Sequence, residues 1–143
     1  MKNIKKKEKY AYLMDKLKAA ITNEYYYEAI FIEYAVLEDR TASILRHMKC
    51  NKNIDDLTLN DKLKCIENSL VVKNDKYIQR HLPKTMFSGL HDWKNARNKL
   101  VHDLVGLDYN NIQIKNMALL GNMLVKKLNS KSTLVNNHLD KIM

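Results

Sequence analysis

Arg97, Asn98 and His102 are the residues of this chain whose types and spacing suggest chemistry. They fall in a stretch, about Ser88 to Val105, where Leu90, Trp93, Ala96, Leu100, Val101 and Leu104 recur at helical spacing. At about 100° per residue, Arg97 lies near the middle of that apolar stripe. A guanidinium there must meet a carboxylate or line a cleft or a subunit interface, because an unpaired buried charge is costly. Glu33, set in the apolar run Ala29 to Leu37, has the same difficulty. The economical expectation is that Glu33 and Arg97 approach each other across the fold. A second stripe on the same helix is polar: His91, Asn95, Asn98 and His102. For His91 this reads as plain solvent exposure. His102 differs because it shares the turn next to Arg97. Imidazole can give and take a proton near neutral pH, and a neighbouring arginine would stabilise the charge on a pentavalent phosphorane. Together they suit metal-free cleavage of RNA, in which the ribose 2′-hydroxyl attacks its own phosphate.

Positioning these groups is the task of one domain. The chain has 143 residues, enough for a single core. Three glycines and one proline are too few for a turn-rich β protein, so composition leans helical. The net charge of +9 favours a polyanionic partner through phosphate contact and counterion release. A lysine-rich surface with no such role would show the same excess. Only four of the 25 basic residues are arginines, so the place of each one carries information. Cys50 and Cys65 stand in no metal-ligand spacing and read as two reduced thiols. No cluster of His, Cys and carboxylates has ligand spacing, so no metal and no cofactor are expected. No Gly-rich phosphate loop or nucleophile elbow occurs. The basic start is not followed by an apolar signal region, and no apolar run approaches a membrane span. The expected location is cytoplasmic.

Periodicity predicts five helices: about Lys5 to Ile21, Glu24 to Met48, Asn60 to Val72, Ser88 to Val105, and Asn110 to Leu128. The second is apolar nearly all round at its centre and should be central. Thr58 or Asn60 caps the third, a short turn is expected at Tyr77 to Leu82, and Gly106 is placed to end the fourth. Residues 1–9 read as a basic N-terminal extension. Ser130-Lys131-Ser132 should interrupt the last helix, leaving 130–143 separate or frayed. The predicted fold is all-α, a single domain over 1–143 forming a four- to five-helix up-and-down bundle.

Arg97-Asn98-Lys99-Leu100-Val101-His102 resembles the R-x4-6-H motif of the HEPN superfamily (higher eukaryote and prokaryote nucleotide-binding domains), where a polar residue commonly follows the arginine. The likeness extends to a four-helix bundle with the motif on a late helix, behind a long apolar helix bearing acidic residues. The resemblance implies a metal-independent endoribonuclease that leaves 2′,3′-cyclic phosphate ends, often a toxin with an antitoxin partner or a phage-defence effector. It also implies a homodimer in which the two motifs face each other and form a composite Arg/His site. Carried over, Arg97 would orient the scissile phosphate, His102 would act as general acid or base, and Asn98 would hold the geometry or the 2′-hydroxyl. Arg40 and His47 make a second match, with six residues between them at the end of a helix, and are read as incidental. Leu104 stands where toxins paired with minimal nucleotidyltransferase antitoxins carry a tyrosine, which disfavours that subfamily. Five residues apart on a helix, Arg97 and His102 point about 140° apart. A two-fold axis that sets the helix against its copy would bring complementary residues together. The lysines at the start and Tyr25-Tyr26-Tyr27, with Tyr34 further on, are candidate RNA contacts, the tyrosines reading better as core or interface packing. The alternative function is a non-catalytic helical module that binds RNA or a protein partner through its basic surface.

Overall fold

The computed structural model describes residues 2–104 and 109–142. Within them the regular structure is helical: α1 (Lys2–Thr22), α2 (Tyr26–His47), α3 (Leu59–Lys73), α4 (Lys76–His81), α5 (Lys84–His102) and α6 (Asn111–Ile142), with one 3-10 turn at Ile54–Asp56. The all-α expectation holds. No helix among the described residues is long and apolar enough to cross a membrane.

Side-chain pairs fix the relative directions of the helices. Ser43 meets Asn136 at 3.1 Å and His47 meets Asp140 at 2.7 Å, while Glu33 lies against Gly121, so α2 and α6 run parallel. Trp93 donates its indole N–H to the Met117 carbonyl at 2.9 Å, and Gly89 faces Leu124, so α5 runs antiparallel to α6. Lys94 reaches Asn60 and His91 reaches Glu67, which sets α3 antiparallel to α5. It follows that α2 and α3 run in the same sense, and the segment from Met48 to Thr58 carries the chain back between them. The bundle therefore departs from strict up-and-down alternation. Trp93, Leu37, Val125, Leu63 and Leu17 fill its core, with α2 in the middle as its apolar centre predicts.

Local chemistry explains most helix ends. Thr58 caps α3, its hydroxyl accepting from the Asp61 N–H at 3.1 Å. Asp75 caps α4 by accepting from the Tyr77 and Ile78 N–H groups. Helices α1, α2 and α3 are closed by Glu24, Lys49 and Asn74 in the left-handed region, at φ of 62°, 58° and 51°. At the first two, the next residue's N–H reaches back to a carbonyl one turn earlier, Tyr25 to Ala20 and Cys50 to Leu45.

Three expectations need correction. Residues 5–9 are not an extension: α1 starts at Lys2, exposed lysines being good helix formers, and Lys6 lies 3.8 Å from Asp39 of α2. Helix α5 starts at Lys84, directly after Pro83, with Met86 and Phe87 buried in its first turns. Its predicted end at Val105 and Gly106 lies outside the described residues. Residues 130–142 are neither separate nor frayed. The Ser132 and Thr133 hydroxyls bond back to the Asn129 carbonyl, and Leu128, Ser132, Val135 and Leu139 continue one buried stripe. Packing on α2 and α4 there outweighs the weak helix propensity of serine.

Candidate functional site

Helix α5 buries Leu90, Trp93 and Leu100, and Arg97 sits half-buried beside that row. Its guanidinium does not reach Glu33. It lies over the Tyr34 ring of α2, with its carbon 3.8 Å from the ring centroid. Such a cation–π contact is worth about 0.5–2 kcal/mol. Nη1 donates to Asn98 Oδ1 at 3.1 Å, and Nε is buried without a partner. Among the described residues no carboxylate lies within ion-pair distance of Arg97. Burial and then Glu38 push the Tyr34 phenol up, against the pull of Arg97. Glu38 itself meets Lys62 at 3.5 Å.

Glu33 points elsewhere because consecutive helical residues diverge by about 100°. It is wholly buried, and neither carboxyl oxygen has a hydrogen-bond partner. Gly121 makes the room: a Cβ there would meet the Glu33 carboxyl and come within 2.8 Å of Trp93 Cζ2. Desolvation pushes the Glu33 carboxyl up to about 9, so at neutral pH it is an uncharged acid. The expected Glu33–Arg97 ion pair is thus not formed. Arginine finds an aromatic face instead, and glutamate keeps its proton.

His102 is exposed on the last turn of α5, and no hydrogen bond joins it to Arg97 or Asn98. Arg97 and Asn98 are therefore together, and His102, one turn beyond Asn98 on the same face, stands around the helix from Arg97. Ala96, Val101 and Leu104, placed by periodicity in the apolar stripe, are exposed, the last two at 53% each. Phe31, one turn before Tyr34 on α2, is 71% exposed. Apolar surface thus flanks the arginine, and none of the described residues covers it. The second motif match is absorbed by local contacts. Arg40 pairs with Asp39 and lies 4.6 Å over the Tyr10 ring, while His47 bonds to Asp140.

Two groups escaped the sequence reading. Tyr34 was legible only as packing, yet it seats the guanidinium. His91 was assigned to solvent, yet it bridges Glu67 and Lys94. Since the Lys94 ammonium can only donate, His91 Nδ1 accepts at 3.3 Å and Nε2–H donates to Glu67. Lys94 is buried, also donates to Asn60, and has its ammonium pulled down first by burial and then by Lys64, with Glu67 opposing. A signal existed: Glu67 and His91 each begin or end a run at spacing 3, 4 and 7 on facing helices. Among the described residues no group of His, Cys and carboxylates is disposed to hold a metal ion. Cys50 and Cys65 are unbridged. Comparisons with protein-family models, curated proteins and solved structures each find no match.

Proposed function

We propose that this chain is a metal-independent endoribonuclease of the HEPN type, acting as a homodimer through Arg97, Asn98 and His102. The observation that carries this reading is the state of Arg97. It is clamped on Tyr34, steadied by Asn98, and left without an acid among the described residues. An arginine held in that way is ready for a phosphate, which matches its planar fork with two oxygens. The exposed Phe31, Val101 and Leu104 beside it fit a second copy, and the charge of +9 fits RNA.

In this reading the ribose 2′-oxygen forms a bond to phosphorus as the bond from phosphorus to the 5′-oxygen breaks. His102 of the partner subunit accepts the 2′-hydroxyl proton as general base, and water supplies a proton to the departing 5′-oxygen. Arg97 neutralises the charge that builds on the phosphorane oxygens. The product ends are a 2′,3′-cyclic phosphate and a 5′-hydroxyl. A toxin or phage-defence role, with an antitoxin as a further partner, is the setting that the resemblance supplies.

The test is incubation with mixed-sequence RNA in EDTA. Cleavage to cyclic-phosphate ends is expected, reduced at least about a hundredfold in Arg97→Ala and His102→Ala. Cleavage that needs Mg²⁺, or that survives both substitutions, overturns the proposal. Salt-sensitive RNA binding without product, its loss spread over many lysines, would mark a non-catalytic module instead.

A further inference from the structure

A cleft of about 580 Å³ opens between α3, α4 and α5, away from Arg97. Helix α3 lines it with Glu67 and Leu70 and its capping residue Asn74, and α5 with Lys84, Phe87 and His91. Both sets follow a helical repeat, and because the helices are antiparallel, Glu67 faces His91 at one end while Asn74 faces Lys84 at the other. The two ends lie about 10 Å apart along the helix axis, seven residues of rise.

The ends differ in chemistry. At the first, Glu67 is part-exposed, and one of its oxygens takes the His91 N–H. A carboxylate has about four lone-pair sites, so Glu67 retains capacity toward the cleft. His91 has both ring nitrogens engaged and fixes the carboxylate rather than competing for a ligand. This end asks for a pair of hydrogen-bond donors. At the second end the groups left over are donors. Lys84 carries an exposed ammonium. Asn74 accepts from Gln79 and Lys76 through its oxygen, leaving its amide N–H. This end asks for an anion. Between them the floor is apolar, made by Leu70, Leu82 and Phe87.

We propose that this cleft binds a guanine nucleotide unit, with the guanine edge on Glu67 and the phosphate on Lys84 and Asn74. Guanine offers N1–H and an N2 amino group side by side, which one carboxylate can accept together. Adenine sets a ring acceptor beside its amino group, and the Glu67 charge would repel it. A flat base suits the apolar floor, and the separation of the ends matches that of base edge and phosphate in a mononucleotide. The volume lies within the ordinary range of small-molecule sites. The same unit could be a free nucleotide or a guanine within an RNA strand, and the site goes beyond the proposed ribonuclease centre.

Calorimetric titration of the full chain with GMP, AMP, guanosine and a short RNA carrying one guanine tests it without any need for turnover. GMP should saturate one site, with AMP and guanosine each weaker by about tenfold or more. Glu67→Gln keeps an acceptor for His91 and should erase the preference for GMP over AMP. Lys84→Ala should lower GMP to the level of guanosine. Ser88→Phe, filling the cleft from an exposed position, should abolish binding. Saturation by the RNA alone, lost in Glu67→Gln, assigns the site to a strand rather than a free nucleotide. No saturation by GMP or by the RNA, or affinities indifferent to all three substitutions, overturns the proposal.

Discussion

At the residue scale, Glu33 makes the sharpest energetic statement. Its carboxyl titrates near 4.5 in an unfolded chain and is pushed up to about 9 by burial. The folded state therefore binds a proton that the unfolded state releases, and stability falls as pH rises between those two values. The penalty at pH 7 is on the order of 3 kcal/mol. Glu33→Gln should accordingly be more stable than the parent in urea at pH 8, with the gap closing as pH approaches 4. A gap that is constant with pH would show that Glu33 does not hold its proton. The oddness of Glu33 and Arg97 was visible in the sequence, since each interrupts an apolar stripe. Their separation was not, because it depends on Tyr34 offering a ring to the guanidinium and on Gly121 leaving a hollow for the carboxyl. A lone glycine in the middle of the last helix was the one available hint.

At the element scale, the helices were legible because 3.6-residue periodicity is strong in long amphipathic segments. Their ends were less so. Serines that weaken a helix in isolation are carried through α6 by its buried stripe, and α5 gains a full turn behind Pro83. The left-handed caps carry no glycine and left no mark in the sequence. Two of them, Glu24 and Lys49, hold side chains in a conformation that favours glycine. Lys49→Gly should therefore stabilise the α2 end by about 0.5–1 kcal/mol, despite the greater freedom of the unfolded chain. Thermal unfolding reads this directly, and a lowered midpoint would contradict the assignment of a strained cap. Glycine at Asn74 should gain less, as asparagine tolerates that region well.

For the whole molecule, Phe31, Val101 and Leu104 exposed around an arginine that has no acid partner among the described residues call for a partner. Sedimentation at micromolar concentration should show a dimer, and Phe31→Asp should yield a monomer that no longer cleaves RNA. A monomeric parent would remove the basis for a shared site. Symmetry of this kind is not written in one chain's periodicity: the sequence pointed to a second protomer and offered Trp93 and Leu100 as part of its contact, but both are buried in the core, and the exposed apolar residues are Phe31, Val101 and Leu104. The decisive measurement is complementation between two inactive variants. In a site that takes Arg97 from one protomer and His102 from the other, Arg97→Ala mixed with His102→Ala forms hybrid dimers that each keep one intact pair. With random exchange, half the dimers are hybrids with one site in place of two, so cleavage in EDTA should return to about a quarter of the parental rate. A mixture as inactive as its components, with subunit exchange shown to occur, would contradict a site shared between two chains.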